Sequence, residues 1–373
     1  ALADALSPRT GSVAAVPLRA AYRTLEPYAP DRRPVDVDLS DNTNLFGANP
    51  AALAAAALGS DQLTRYPSVS AAELRAAIAE RYGVAPENVT TGCGLDDVID
   101  SAVRAFCESG DVLAYPDPTF GMVPLFARMN AVRAVPVPLG PGFVLDADAL
   151  LATRARLTYL CQPNNPTGHL FERAAIERVA AGTGGVVLID EAYADFANET
   201  DTAGEPVSFV QHAIDSERSV VLRTFSKAYG LAGLRVGYAI GPARLIREIE
   251  KSRGPYKVTA AADAAARAVL RDGAEWHRGV IDETRRNRTR LIDALRRLGY
   301  APYPSAANFV LVPVDSAASF AAALRERGVA VRAFAELPGI GDAVRISIGP
   351  WALLERLLAA LAEIQPSNAA GGR

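Results

Sequence analysis

The sequence predicts an α/β protein whose large, mostly parallel sheet is flanked by helices and is followed by a smaller α+β domain. The main observation is a series of short apolar runs that end in polar residues, such as residues 186–189 before Asp190 and residues 220–222 before Thr224. Runs of this kind are typical of strands buried on both faces. Helical stretches lie between them, which favours an alternating order and a parallel sheet.

Length and composition predict how the chain is divided. A chain of 373 residues exceeds one small domain. Residues 1–37 are rich in Pro, Arg and Ala and are predicted to form an N-terminal arm, and residues 38–250 the large domain. An Ala- and Arg-rich helical region then begins, so residues 251–366 are expected to form the small domain and residues 367–373 a disordered tail.

The individual elements follow from periodicity and from helix and turn signals. In the second helix, Ser70 with Glu73 three residues later forms a capping-box pattern. Pro116 and Pro118 are expected to end the second strand. In chain order, the pattern predicts helices over 50–58 and 71–82, a strand over 88–91, a helix over 95–107, a strand over 112–115, and a helix over 173–181. The small domain is predicted to hold strands over 308–312, 329–332 and 344–348, with a helix over 317–327.

Composition disfavours several classes of function. The formal net charge is −3, which disfavours nucleic acid as a partner. No apolar run approaches the roughly 20 residues of a membrane helix. We therefore expect no membrane partner, and we expect a cytoplasmic location. The 3 cysteines and 3 histidines are dispersed, which disfavours a metal site. Chemistry based on an organic cofactor is therefore favoured.

Lys227 lies in a polar run that directly follows a buried apolar run. The run reads Arg-Thr-Phe-Ser-Lys at residues 223–227, and Arg235 follows eight positions later. An amine can form a Schiff base with an aldehyde, while hydroxyls and a guanidinium bind phosphate. The pattern indicates a covalently held phosphorylated aldehyde, pyridoxal 5′-phosphate. A surface lysine with an ion-paired arginine is the alternative.

A glycine-rich turn joins a predicted strand to a predicted helix at residues 91–97, Thr-Gly-Cys-Gly-Leu-Asp-Asp. Backbone N–H groups and the dipole at a helix start favour an anion. The turn does not continue as a dinucleotide fingerprint, because Asp97 stands where that motif has glycine. A phosphate cradle and an ordinary turn both explain the segment.

Asp190 ends an apolar run, where a carboxylate is costly unless a charge pairs with it. A protonated pyridine nitrogen would be such a partner, and it lets the ring act as an electron sink. Tyr193 could bond the phenolic oxygen of that ring, and the Asn165 amide could reach the same ligand. A buried structural ion pair or helix cap for Asp190, and a plain turn around Asn165, are the alternatives.

Taken together, these motifs resemble the fold-type I pyridoxal phosphate-dependent aminotransferases, and most closely the branch that contains histidinol-phosphate aminotransferase. The resemblance extends over nearly the whole chain, from about Leu25 to Gly349. The matching motifs are Arg-Tyr-Pro at 65–67, Asp-Pro-Thr-Phe-Gly-Met at 117–122, Asn-Pro-Thr-Gly at 165–168, Asp-Glu-Ala-Tyr at 190–193, Arg-Thr-Phe-Ser-Lys at 223–227, Gly-Leu-Arg-Val-Gly at 233–237, Asn-Phe at 308–309 and Val-Arg-Ile-Ser at 344–347.

The resemblance implies a role for each matching residue. Lys227 would hold the cofactor and then move a proton, and Asp190 would pair with the pyridine nitrogen. Tyr66 would reach the phosphate of the cofactor in the neighbouring subunit, which implies a homodimer with shared active sites. The other implied cofactor contacts are Asn165 and Tyr193 at the ring oxygen, Phe120 on the ring face, and Ser226, Arg235, Thr224 and the backbone of Leu95 and Asp96 at the phosphate.

The substrate implied by the resemblance is histidinol phosphate, with 2-oxoglutarate as amino acceptor, in histidine biosynthesis. Arg345 would grip the acidic group of the substrate. Arg332 and Tyr28 also match positions that family members place near the substrate, and two cations suit a phosphorylated molecule. Without the resemblance, each of these three residues has an ordinary explanation as a surface or packing residue.

The chain departs from the family pattern at several positions. Leu45 stands where family members usually have a proline, and Phe120 stands where many have a tyrosine. Leu95 stands where they usually have a small or hydroxyl residue. Residues 255–259 lack the asparagines that are common there. Near Leu95 the phosphate is expected to be bound by backbone N–H groups, which do not depend on the side chain. The cofactor chemistry is therefore expected to tolerate these replacements.

These departures bear on the substrate pocket and keep other functions open. An aromatic or specialised-metabolism amino acid aminotransferase is the alternative, and a decarboxylase of an O-phosphorylated amino acid is a more distant one. A regulatory domain fused to a DNA-binding domain is disfavoured, because the leading segment is short and insufficiently basic.

Overall fold

The computed structural model of the protein describes residues 19–27, 29, 31, 33–57, 59–198, 200 and 207–364. Tyr28, residues 1–18 of the predicted arm and the predicted tail at 367–373 lie outside the described residues. None of the described helices is long and apolar enough to cross a membrane, and the cytoplasmic location stays a prediction. Within the same residues, no group of three or more His, Cys, Asp or Glu side chains is placed to hold a metal ion.

The strands are short, as the apolar runs predict. In the described residues they are β1 Val37–Asp38, β2 Val89–Cys93, β3 Val112–Asp117, β4 Arg133–Pro138, β5 Leu157–Cys161, β6 Val186–Asp190, β7 Ser219–Thr224, β8 Val236–Ile240, β9 Phe309–Pro313, β10 Val329–Ala330, β11 Arg332–Leu337 and β12 Gly341–Ser347.

Helices lie between most of these strands. The described α-helices are α1 Pro50–Ala55, α2 Ser60–Thr64, α3 Ala72–Tyr82, α4 Gly94–Phe106, α5 Met122–Met129, α6 Ala147–Ala152, α7 Arg173–Gly182, α8 Val210–Asp215, α9 Ala243–Arg253, α10 Ala260–Asp272, α11 Ala274–Arg297, α12 Ala317–Glu326 and α13 Trp351–Glu363. Single 3-10 turns occur at Ala20–Tyr22, Pro86–Asn88, Pro141–Phe143, Ala194–Phe196 and Ala232–Leu234.

Seven strands form the large sheet, in the order β2-β8-β7-β6-β5-β3-β4. β8 runs antiparallel to both of its neighbours, and the other strand pairs are parallel. The predicted α/β fold with a mostly parallel sheet is therefore confirmed. Because β8 is reversed, its amino end lies beside the carboxyl ends of β2 and β7.

The large sheet is buried on both faces, as its apolar runs indicate. Along β6, Val187 and Ile189 join the apolar cluster on one face, whereas Leu188 joins the cluster on the other. Side chains alternate between faces along a strand, so each face needs its own apolar layer. Helices supply both layers, and the polar residues are left at the strand ends.

The second sheet is small and antiparallel, with the order β11-β12-β9. Its core includes Leu291 of α11 and Leu357 of α13, and β1 pairs in parallel with β10 nearby. The predicted boundary after residue 250 falls inside α9. Helix α10 contributes Ala262 and Val269 to a core cluster of the large sheet. The exact division into domains stays a prediction.

Two local predictions were wrong. Ser70 does not cap α3: the helix begins after Ala71, which has a left-handed φ of 52°, and Ser68 Oγ accepts the Ala72 N–H at 3.1 Å. The left-handed residue redirects the chain, so an earlier serine reaches the helix start. The second strand does not stop at Pro116 but continues to Asp117, and it ends directly before Pro118, as predicted for that proline. Pro116 is tolerated in the strand because β5 pairs with β3 only at Leu113 and Ala114. A proline beyond this pairing removes no hydrogen bond between the two strands.

Candidate active site

The polar residues predicted from the strand ends meet at one cavity above the carboxyl edge of the large sheet. Ligands of open α/β sheets bind at this edge. The cavity is lined by ten residues singled out from the sequence, namely Leu95, Asp96, Phe120, Asn165, Asp190, Tyr193, Thr224, Ser226, Lys227 and Arg235, together with Ile99, Cys161 and Ala192. We call this the cofactor cavity.

Lys227 follows β7 and extends its amine into the cofactor cavity. Its Nζ donates to the carbonyl of Asp41 at 3.3 Å and lies 5.8 Å from the centre of the Tyr193 ring. Burial, reinforced by the charge of Arg345, lowers the pKa of Lys227 from 10.5 to about 8. The amine therefore becomes a usable base much closer to neutral pH than an exposed lysine.

Asp190 ends β6 and is 3% exposed. Its Oδ2 accepts the Tyr159 hydroxyl at 2.5 Å, and its Oδ1 accepts the Ala192 N–H at 2.9 Å. Burial raises the pKa of Asp190 to about 6, although both hydrogen bonds oppose that rise. A cation in the cavity would therefore stabilise the carboxylate strongly.

Asn165 and Tyr193 form a pair on the same side of the cavity. Asn165 Nδ2 donates to the Tyr193 hydroxyl oxygen at 3.2 Å, and Asn42 Nδ2 donates to the same oxygen at 3.4 Å. Because two amides occupy the lone pairs of this oxygen, its proton is available to a third acceptor. The pair can thus present a donor to an oxygen atom of a ligand.

Arg235 and the start of α4 form the other end of the cavity. Arg235 precedes the reversed strand β8, and its guanidinium lies 3.4 Å from Ser226 Oγ and 3.3 Å from a carboxylate oxygen of Asp96. A Cβ added at Gly94 would lie 2.3 Å from Arg235 Nη2, so this approach needs glycine. The first N–H groups of a helix lack intrahelical partners. Guanidinium, hydroxyl and N–H groups together make an anion cradle.

A second cavity of about 680 Å³ opens beside the first and shares Phe120 and Asn165 with it. We call it the substrate cavity. Arg332 and Arg345 line it from the small sheet, where they are direct cross-strand partners. Arg345 joins the two cavities, since its Nη1 donates to Asn165 Oδ1 at 2.6 Å. The remaining residues that line the substrate cavity are Thr24, Leu25, Glu26, Pro27, Ala29, Asp31, Asp41, Thr119, Gly121, Met122, Leu125, Arg128 and Phe334.

Three consecutive residues that the sequence did not single out as site residues touch three different site residues. The Ser40 carbonyl accepts from Arg345 at 2.9 Å, the Asp41 carbonyl accepts from Lys227, and Asn42 donates to Tyr193. Asn42 has a left-handed φ of 54°, which suits an asparagine. Backbone carbonyls carry no sequence signal, so only this local conformation hints at the role.

Tyr66 lies away from the cofactor cavity of its own chain. It is 85% exposed and stacks on Tyr256 with ring centres 4.9 Å apart. Leu45 packs with the core of the small sheet and lies against Gly349. Of the three single-residue departures from the family pattern, Leu95 and Phe120 thus line a cavity, whereas Leu45 is a packing residue.

A family model described as aminotransferase class I and II matches residues 34–361. The match spans all the strands and all the cavity residues that follow them. The chain belongs to this family. The cofactor of this aminotransferase is pyridoxal 5′-phosphate, and the residues of the cofactor cavity fit it: an amine, a buried carboxylate and an anion cradle face one another across a single cavity.

The relatives of the aminotransferase include enzymes named for two different substrates. The chain is 34% identical to a histidinol-phosphate aminotransferase of Thermoanaerobacter pseudethanolicus, over 82% of this chain and 86% of that protein. It is 39% identical to an aromatic amino acid aminotransferase of Corynebacterium glutamicum, over 86% of this chain and 92% of that protein.

Among solved structures, the aminotransferase is similar to histidinol-phosphate aminotransferase from Sinorhizobium meliloti in complex with pyridoxal-5′-phosphate. The TM-score is 0.82 at 29% identity, and the alignment covers 90% of this chain and 93% of that chain. The similarity confirms the predicted fold type and cofactor.

Proposed function

We propose that the aminotransferase moves an amino group from histidinol phosphate to 2-oxoglutarate, which would place it in histidine biosynthesis. The observation that carries the proposal is the paired placement of Arg332 and Arg345 in the substrate cavity. Two guanidinium groups on adjacent strands suit a doubly charged phosphate, and one of them suits the carboxylate of the second substrate.

The cofactor residues are proposed to act as follows. Pyridoxal phosphate, when bound, withdraws electrons from the reacting carbon of the substrate. Asp190 would hold a positive charge at the pyridine nitrogen, and Tyr193 with Asn165 would bind the ring oxygen. Phe120 would pack on the ring face. Ser226, Thr224, Arg235 and the backbone N–H groups of Leu95 and Asp96 would hold the phosphate. The Asp96 carboxylate instead pairs with Arg235.

Lys227 is proposed to attach the cofactor and then to act as the base. Its Nζ would take a proton from the substrate carbon that bears the amino group. It would then donate a proton to the cofactor carbon that receives the amino group. A general base works best when its pKa is near the working pH. The lowered pKa of about 8 fits that requirement.

Arg345 is proposed to orient the substrate. Its bond to Asn165 Oδ1 ties the acid-binding group to the cofactor pocket, so the bound acid would be positioned relative to the ring. The arm residues that line the substrate cavity, such as Leu25 and Pro27, would help to exclude water.

An aromatic amino acid as donor is the second candidate. Phe120 and Phe334 face the substrate cavity, with Leu25, Met122 and Leu125 adding apolar wall. Apolar and aromatic walls favour an aromatic side chain. The Corynebacterium glutamicum relative supports the same candidate.

A half-reaction panel tests the substrate proposal. The purified holoenzyme is mixed singly with histidinol phosphate, phenylalanine, tyrosine, alanine or glutamate, and the loss of the visible absorption band of the cofactor is followed. Histidinol phosphate and glutamate should discharge the band fastest. Rapid discharge by phenylalanine with none by histidinol phosphate would overturn the proposal in favour of the second candidate.

We also propose a homodimer in which Tyr66 reaches the cofactor phosphate of the other subunit. In support, the Tyr256 ring that stacks on it is 41% exposed, and its sequence neighbours Leu63 and Val69 are 70% and 56% exposed. An apolar surface of this kind is typical of an interface. A solution mass near the 39.3 kDa of one chain would contradict the dimer.

A further inference from the structure

Tyr159 is a buried tyrosine whose hydroxyl contacts the carboxylate of Asp190. The ring lies in the middle of β5 and is 0% exposed, and its O–H donates to Asp190 Oδ2 at 2.5 Å. In the register of the sheet, Cys161 is the direct partner of Asp190 and Tyr159 pairs with Leu188. The tyrosine therefore reaches diagonally from β5 to the adjacent strand β6, on the same face of the sheet.

The bond has a defined direction. Burial, together with the charge of Asp190, raises the pKa of the Tyr159 phenol well above its ordinary value, so the phenol stays protonated and donates. Other ionisable groups near Asp190 are Asp96 and Glu191, whose charges raise its pKa, and Cys161 and Tyr193, whose own pKa values burial raises. Tyr159 is thus the side chain that donates to Oδ2.

We propose that Tyr159 is a positioning residue that keeps the Asp190 carboxylate ionised and aimed at the pyridine nitrogen of the cofactor. The inference rests on the proposed role of Asp190. A carboxylate and a pyridine nitrogen share one proton between them. Donation from Tyr159 makes the carboxylate a weaker base, so the proton stays on the nitrogen, where it promotes electron withdrawal by the ring.

Tyr159→Phe tests the inference, because it removes one oxygen atom and keeps the ring. Hydrogen bonds to charged groups are strong, so we expect kcat to fall about 10-fold, with KM changing less than about 2-fold. The affinity of the apoenzyme for pyridoxal phosphate should also fall by about 10-fold. With cofactor labelled by 15N in the ring, the nitrogen resonance should move toward its unprotonated position.

Tyr238→Phe is the matched control. Tyr238 is equally buried, and its hydroxyl bonds to the Tyr82 hydroxyl at 3.0 Å rather than to a cofactor residue. This variant should leave the 15N resonance unchanged. An unchanged resonance and unchanged cofactor affinity in folded Tyr159→Phe would overturn the inference.

Two further variants separate the possible failures. In an Asp190→Asn background, Tyr159→Phe should have no additional effect on cofactor affinity, because the tyrosine acts through the carboxylate. If Asp190→Asn itself binds cofactor normally, the proposed role of Asp190 fails. If Tyr159→Phe does not fold, a ring-fluorinated tyrosine at position 159 is a stronger donor and should raise the pH at which the 15N resonance moves to its unprotonated position; an unchanged transition pH would overturn the inference.

Discussion

The two cavities of the active site are built in different ways. The cofactor cavity is formed by the ends of strands that are hydrogen-bonded in one sheet, so its residues are fixed by the register of that sheet. The substrate cavity combines the small sheet, arm residues 24–27, 29 and 31, and the segment after β3. The difference indicates why the cofactor chemistry is common to a family whose members differ in substrate.

The two cavities also differ in their charges. In the cofactor cavity burial moves both key groups toward neutrality, lowering the pKa of Lys227 to about 8 and raising that of Asp190 to about 6. In the substrate cavity the basic residues are Arg128, Arg332 and Arg345, and the acidic ones are Glu26, Asp31 and Asp41. One cavity therefore tunes proton positions, whereas the other is proposed to bind the acidic groups of substrates through Arg332 and Arg345.

The largest expected effect is in the cofactor cavity. Lys227→Ala removes the proposed attachment point and base, so turnover should fall by at least about 10²–10⁴-fold with every amino donor. The visible absorption band of the lysine-bound cofactor should also be lost. Lys251→Ala is the control, since Lys251 pairs with Glu248 on an exposed helix face. Normal turnover by Lys227→Ala would refute the assignment.

A smaller effect is expected in the substrate cavity. Arg345→Ala should lower kcat/KM for all acidic substrates by about 10²-fold, because an anion would lose a charged partner. Arg332→Ala should lower kcat/KM for histidinol phosphate more than kcat/KM for glutamate or phenylalanine. Steady-state kinetics on these substrates measure both. Arg356→Ala, which breaks a surface pair with Asp36, should have no effect. Equal losses for every substrate in Arg332→Ala would contradict a phosphate role.

The smallest effect concerns stability. Because the pKa of Lys227 is lowered from 10.5 to about 8 in the folded protein, the unfolded chain binds a proton first as the pH falls below 10.5. The free energy of unfolding of the apoenzyme should therefore fall between pH 10.5 and 8 and stay lower below that. Lys227→Met has no proton to bind and should be more stable at pH 7, by roughly 1–3 kcal/mol.

Chemical denaturation of the two apoenzymes at pH 7 and pH 10 checks this difference. Lys251→Met controls for the general effect of replacing a lysine by methionine. Equal stability of Lys227→Met and the wild-type apoenzyme at pH 7 would mean that the buried amine costs nothing in the folded protein.

The sequence predicted the cofactor cavity well because its main residues follow strand ends. Asp190, Asn165 and Lys227 each come just after an apolar run, and the carboxyl ends of parallel strands share one edge. Tyr159 could not be found in this way, because it lies inside an apolar run and resembles a core residue. Only the pairing of β5 with β6 shows that its hydroxyl reaches Asp190.

The substrate cavity was less predictable. Arg332 and Arg345 were singled out, but Phe334 and Arg128 were not, although both line the cavity. The carbonyls of Ser40 and Asp41 also escaped notice, because any residue supplies the same backbone atom. The Ser70 cap failed because a left-handed Ala71 changed which serine reaches the helix.

By itself, the sequence determined the α/β fold, the cofactor and the group of strand-end residues that would meet around it. Local patterns carry this information because buried strands consist of apolar residues, whereas polar residues are tolerated at the strand ends. The tertiary structure decided which groups tune those residues: Tyr159 on Asp190, Asn42 on Tyr193, and Arg345 on Asn165 and Lys227. These contacts depend on strand register and on the position of the small sheet, neither of which a linear pattern encodes.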